Sequence, residues 1–140
     1  MKRKIILILT CLIVFLFPLA SCGESGKAKA TLITSTATTV VIKVETAEEN
    51  ATLLSVMETL KGETFTYELT GTMVSSINGV QNPADYSSCW MLYTSDADFS
   101  NNEWGTTTYE GTTYGSATLG ADGLIVASGE TYIWVYESFS

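Results

Sequence analysis

The 140-residue chain contains no histidine. Its one arginine, Arg3, lies between Lys2 and Lys4, and past Lys61 no basic residue occurs at all. The first absence excludes a Ser-His-Asp triad and a histidine-held zinc site. The second removes nucleic acid from the list of partners, because phosphate binding needs lysine and arginine. A carboxylate pair such as Asp96 and Asp98 is what remains for catalysis, on a glycosidic bond. Those two stand together in an acidic stretch with nothing to mark a raised pKa, so the chain does not read as an enzyme.

Calcium meets a similar obstacle. "DADFSNNEW" starts like a calcium loop, with Asp96, Asp98 and Ser100 at the first, third and fifth positions. Its sixth position is Asn101 instead of glycine, and its twelfth is Thr107 instead of the bidentate glutamate. No metal is expected.

What is present begins with "MKRKIILILTCLIVFLFPLASC". A basic start precedes an uncharged apolar run, Ile5 to Ala20, that ends in small residues. The run is short for a spanning helix, which needs about 20 residues, and suits a secretory signal. Leu19-Ala20-Ser21-Cys22 resembles the lipobox of bacterial lipoproteins. That resemblance implies cleavage before Cys22 and a diacylglyceryl group on its thiol. Two or more acyl chains anchor firmly where one does not. The mature protein is thus expected on the extracytoplasmic face of a cell membrane, held there by lipid on Cys22 without crossing.

Removing residues 1–21 changes how the composition reads. Four lysines remain against fifteen carboxylates, a net charge near −11. Such a charge favours solubility and keeps the domain off an anionic bilayer. Of three cysteines only Cys89 stays unmodified, which leaves no partner for an intramolecular disulfide. It precedes Trp90 in an apolar strand and reads as a small core residue, with no cation or base nearby to activate the thiol.

Residues 22–29 read as lipidated cysteine and flexible spacer, and 30–140 as one domain able to bury a core. "TTVVIKVET" alternates, with Val40, Ile42 and Val44 against Val41 and Lys43, and "ATLITST" before it is a weaker strand. "TAEENATLLSVMETLKG" switches to helical spacing, its stripe being Leu53, Val56, Met57 and Leu60. Thr46 with Glu49, or else Asn50, is expected to cap its start, and Lys61-Gly62 to end it. After it the pattern is β. Phe65, Tyr67 and Leu69 share one face, Asn78-Gly79 suits a tight turn, and Trp90 and Leu92 oppose Met91 and Tyr93. "GLIVASGETYIWVYE" reads as two short strands around Ser128-Gly129. One amphipathic helix packed on a mostly antiparallel sheet makes an α+β fold of two layers.

The order "TLLSVMETL", "GTMVSSINGV", "CWMLYT", "GETYIWVYE" resembles the transcobalamin-like C-terminal domain family, DUF4430, over about residues 30–138. The resemblance implies a β-grasp-like fold and kinship with the domain that caps cobalamin in vitamin B12 carriers. It places Ile77, Asn78, Gly79, Trp90, Leu92 and Tyr93 near a corrinoid ligand. Aromatic faces and backbone hydrogen bonds suit a broad apolar disc fringed with amides, although no histidine exists here to ligate its cobalt. A membrane importer would receive the cargo. The plain alternative is that Asn78-Gly79 is only a turn and Trp90 only core. Either way the sheet face away from the helix is expected to stay open for a flat guest.

Between Thr94 and Gly123 the chain departs from the compact family pattern with an insertion, "SDADFSNNEWGTTTYEGTTYGSATLGADG". Trp104, Tyr109 and Tyr114 lie among glycine and threonine, a composition of recognition surfaces. Two readings stand for it: a loop through which a cell-surface domain binds protein or glycan, with Trp104 and Tyr109 as contacts, or an extra hairpin of Thr and Tyr pairs.

Overall fold

The structure is a computed structural model and describes residues 27–139. The signal segment, Cys22 and residues 23–26 lie outside the described residues. The chain forms β1 (Ala28–Ser35), β2 (Thr39–Ala47), α1 (Leu53–Leu60), β3 (Tyr67–Thr70), β4 (Met73–Ile77), β5 (Val80–Gln81), β6 (Ser88–Thr94), β7 (Ser100–Tyr109), β8 (Thr112–Ala117) and β9 (Thr131–Ser138). The main sheet has the order β1-β2-β9-β6-β8-β7, and a smaller one has the order β3-β4-β5. Every ladder between named strands is antiparallel. The fold is α+β and sheet-dominated, as expected.

Order starts earlier than the composition indicates. Ala28 and Lys29 pair with Ala47 and Thr46, and Lys29 Nζ reaches Glu45 at 3.3 Å, so the end of the spacer is already strand.

The alternation in β2 sorts its side chains between two cores. Val40, Ile42 and Val44 join Leu53, Val56, Met57, Phe65, Tyr132 and Trp134 beneath α1. Val41 joins Tyr93 and Ile133 on the other face, under Tyr109 and Tyr114. Helix and stripe are as read, but the helix starts later. Thr46 stays in β2 opposite Lys29, Asn50 takes φ 66°, and Thr52 is the cap, its side chain accepting the Ser55 N–H at 3.2 Å. Pairing with β1 holds Thr46 and Ala47 extended, which delays the first turn. At the far end Lys61 turns extended at φ −59°, ψ 129°, and the Gly62 N–H donates to Phe65 O at 2.8 Å. No left-handed glycine cap is used.

Two further expectations shift. A bulge between Glu68 and Leu69 breaks the alternation of β3, so Phe65 and Tyr67 are buried while Leu69 is exposed. The segment around Leu124–Ala127 is not a strand. A lone bridge joins Ile125 to Thr52, and Leu53 N–H→Leu124 O and Val126 N–H→Ala51 O pin the start of α1.

The insertion is a hairpin. β7 and β8 join through Glu110-Gly111, at φ 48° and 79°, the pattern of a type I′ turn. Thr108 and Thr113 face each other across it, their hydroxyls 3.4 Å apart. Laid flat, β1 and β7 would stand five strand spacings, about 24 Å, apart. Instead the hydroxyls of Thr34 on β1 and Tyr109 on β7 meet at 2.7 Å. The sheet therefore curls until its two edges touch, and the second core fills the hollow.

Burial of tyrosine makes the fold sensitive to alkali. Desolvation first, then a glutamate partner, raises Tyr67 (with Glu58) and Tyr93 (with Glu137), and burial pushes Tyr132 up to about 12. A folded pKa above the unfolded one means that the neutral form is favoured by folding. That stability is complete below about pH 10 and is lost as pH rises through the folded values. No histidine titrates in between. Urea denaturation is expected to give a constant midpoint from about pH 6 to 8, a small fall above about pH 8.5 as the unfolded Cys89 thiol titrates, and a larger fall above about pH 10. Tyr93→Phe should soften that fall, and a loss already underway at pH 8 would contradict the account.

Candidate functional site

The sheet face opposite α1 is largely covered by the chain itself, contrary to expectation, leaving only a depression of about 230 Å³ beside Val41, Tyr109 and Tyr114. Tyr93 is buried there, its hydroxyl donating to Glu137 Oε1 at 2.5 Å, and Tyr109 and Tyr114 of the curled hairpin pack over it. An open groove lies instead on the helix side, where the main sheet splits.

The split follows from strand pairing. β9 accompanies β6 along its whole length, from Ser88↔Ser138 to Thr94↔Tyr132. β8 pairs with β6 only at Tyr93↔Ser116 and Thr94↔Gly115, after which the chain turns off towards Phe99, whose carbonyl takes the Thr118 N–H at 2.9 Å. The other half of β6 is left beside a gap. Asn82 spans part of it: its Oδ1 accepts the Trp90 N–H at 2.9 Å, and its own N–H donates to Ser75 O at 2.8 Å. The remainder is a groove of about 430 Å³, within the range of small-molecule sites.

Trp90, Leu92 and Trp134 form its floor, and Met73, Tyr86 and Leu119 its exposed rim. Thr72, Asn82, Ser116 and Thr118 add neutral polar edges, and Asp122 is the one charged side chain lining it. Such a surface suits an uncharged or cationic guest with a broad apolar face. An anion would meet no compensating charge.

Two groups here are held at a cost. Tyr86 is exposed (57%) yet has φ 53°, a left-handed conformation in which a bulky residue is an outlier. The Pro83–Tyr86 turn sets it, with the Tyr86 N–H on Pro83 O at 3.0 Å and the Ser87 N–H on Asp85 Oδ1 at 3.1 Å. Trp134 is 95% buried in effect, with 5% exposure, and its indole N–H has no hydrogen-bond partner. Among the described residues it is the one buried side-chain polar atom so placed.

The eight residues singled out from the sequence scatter. Trp90 and Leu92 reach the groove. Ile77 is wholly buried in the main core. Asn78 is consumed internally: its Oδ1 accepts the Thr66 N–H at 3.0 Å, and its Nδ2 donates to Ser35 Oγ and Thr36 O, both at 2.9 Å. With Gly79 at φ 80° it makes the two-residue turn between Ile77 and Val80, and Gly79 points to solvent. Tyr93 and Tyr109 belong to the second core, and Trp104 is exposed on β7. Trp90 also closes the core, donating from Nε1 to Val80 O at 2.8 Å and meeting the Tyr136 ring at 5.4 Å. Met73, Tyr86, Leu119 and Trp134 escaped notice. A tyrosine directly after Pro-Ala-Asp was a usable signal; the register that sets Trp134 beside Leu92 was not.

Other candidates offer less. Asp96 caps the single turn Ala97–Phe99, taking the Asp98 N–H at 3.0 Å, and Ser100 opens β7, so no calcium loop forms. Among the described residues no three His, Cys, Asp or Glu side chains gather as metal ligands. Burial, then Glu137, raises the Cys89 thiol, and its sulfur lies 3.5 Å from that of Met91. A larger depression, about 680 Å³, sits on the smaller sheet. Two of its charges are engaged, Lys61 over the Tyr67 ring at 5.0 Å and Glu58 with the Tyr67 hydroxyl, and Glu68 is the third charged side chain lining it. The chain matches no family model, no curated protein and no solved structure.

Substitutions separate the two floor tryptophans. Trp90→Ala removes a packed ring and a hydrogen bond and is expected to cost about 3–5 kcal/mol in urea denaturation. Trp134→Phe removes an unpaired donor with little loss of volume and should lie within about 1 kcal/mol of the parent. A Trp134→Phe loss as large as that of Trp90→Ala would show that its N–H is paired after all.

Proposed function

We propose that the protein is a binding module, tethered by lipid on Cys22 to the extracytoplasmic face of a membrane, whose groove takes a flat, largely apolar and uncharged guest. One observation carries the reading: Tyr86, strained and exposed, stands over a tryptophan-floored groove on a domain without histidine or arginine. Strained backbone of this kind clusters at ligand clamps. Met73 and Leu119 (each 45% exposed) widen the same apolar rim.

The tether and the groove fit together. β1 enters the fold at Ala28, opposite Ala47 at the end of β2, whereas the groove floor lies level with Val40 at its start through Val40↔Trp134↔Leu92. Seven residues of strand separate them, about 23 Å. Anchored at its first strand, the domain presents the groove away from the bilayer, where a guest enters and an importer docks.

The resemblance to transcobalamin-like domains makes a corrinoid such as cobalamin the candidate guest, and a β-grasp-like fold belongs to the same proposal. One helix across a curled antiparallel sheet supports that fold. A groove of this size receives an edge of a corrin disc, with its fringe of amides on Thr72, Asn82 and Ser116.

The test titrates the chain from residue 22 onward with cobinamide and with Nile red, a neutral flat dye, following tryptophan quenching and dye emission. Both should bind. Tyr86→Gly relieves strain, so it is expected to keep or raise the denaturation midpoint while weakening binding by about tenfold, 1.4 kcal/mol. Dye binding without cobinamide binding would keep the groove and discard the corrinoid. No response to either at high micromolar concentration would discard the binding module.

A further inference from the structure

The curled hairpin carries a second surface on its outward side, made of residues the groove does not use. Tyr109 and Tyr114 turn inward to the second core, so the alternate positions Thr106, Thr108 and Thr113 turn outward and are exposed. Thr108 and Thr113 sit opposite each other across the ladder. Two residues before Thr106 stands Trp104, 64% exposed, the most exposed of the large apolar side chains among the described residues.

Trp104 is put there by a built feature. The β7–β8 register jumps between Asn101↔Ser116 and Thr106↔Gly115, which expels residues 102–105 from the ladder. Asn101 Oδ1 takes the Glu103 N–H at 2.9 Å, and Gly105 adopts φ 139°, a region for glycine. Gly115 opposite leaves room for the Asn102 side chain: a Cβ there would lie 2.2 Å from Asn102 Oδ1 and 3.2 Å from Ser100 Cβ, so Asn102 would have to move. Bulges re-aim side chains. This one aims an indole into solvent beside a row of hydroxyls.

We propose that the outward face of the β7–β8 hairpin, Trp104 with Thr106, Thr108 and Thr113, is a platform for a neutral polysaccharide. The indole offers an apolar plane on which the C–H face of a sugar ring lies, and the threonines offer donors and acceptors at strand spacing, about 6.6 Å along β7. The other occupants fit poorly. An acidic polymer finds no lysine or arginine past Lys61 and a domain of net charge near −11. A peptide adding to the sheet needs a regular edge, and β7, the edge strand, is interrupted by the bulge and carries Glu103 within it. Lipid headgroups would meet one aromatic and several hydroxyls, with no apolar face to insert.

Affinity electrophoresis tests the platform, with the chain from residue 22 onward run in native gels containing hydroxyethylcellulose, glucomannan, soluble starch or, as an acidic polymer, polygalacturonate. Retardation is expected on at least one neutral polymer and not on polygalacturonate. Trp104→Ala should weaken it at least about tenfold, Trp104→Tyr should restore part of it, and Thr108→Val should weaken it severalfold. Thermal midpoint and Nile red binding of Trp104→Ala should match the parent, which separates this surface from the groove. No retardation on any neutral polymer, retardation that Trp104→Ala leaves intact, or stronger retardation on polygalacturonate would each overturn the proposal.

Discussion

The last strand is buried on both of its faces, and the rest of the architecture answers that constraint. Tyr132 and Trp134 enter one core, while Ile133 enters the other. A strand so placed needs cover above and below, and the described residues offer one short α-helix. That helix, with the segment through Leu124 and Val126, covers the first face. The second is covered by the sheet itself, whose far hairpin curls back until Tyr109 meets Thr34. A β8 that leaves with its hairpin cannot also stay paired along β6. The groove beside Trp90 is what the curl leaves behind.

The same reasoning shows what the residues disclose in advance. Alternation in β2 tells which side chains share a face, because a strand's period is fixed by its own backbone. The stripe Leu53, Val56, Met57 and Leu60 likewise announces a helix, and Asn78-Gly79 a turn. The start of the helix is not legible, since Thr46 is held in β2 by pairing with a strand seventeen residues earlier. Nor is the fate of Leu69, which a bulge decides. In the insertion a hairpin was one of two readings that the Thr and Tyr spacing left open; its curl, which brings together two hydroxyls 75 positions apart, was not legible. At the groove, Trp90 and Leu92 were visible as a tryptophan-led strand. Their neighbours Met73, Leu119 and Trp134 come from three other parts of the chain, joined by register and a departing strand.

Several local rules are broken around the groove. Tyr86 holds a left-handed backbone, Trp134 buries an N–H without an acceptor, and Met73 and Leu119 leave apolar area in water. Each is unfavourable, by about 1–3 kcal/mol for the strain and for the unmet donor. Elsewhere half-buried polar groups are answered, as Asn78 illustrates with both amide atoms engaged. Departures from local consistency that gather around one concavity are the mark of a site. The surroundings fit the binding role proposed for it: neutral polar edges, one carboxylate and a thiol raised by burial.

The chain's three tryptophans give the most direct check, because each indole N–H reports one place: Trp90 and Trp134 the groove floor, Trp104 the outer hairpin. In a ¹H–¹⁵N spectrum of the protein titrated with Nile red, the account predicts that the indole signals of Trp90 and Trp134 move together while that of Trp104 stays fixed. Movement of Trp104 alone, or bound dye with all three signals unmoved, would contradict it.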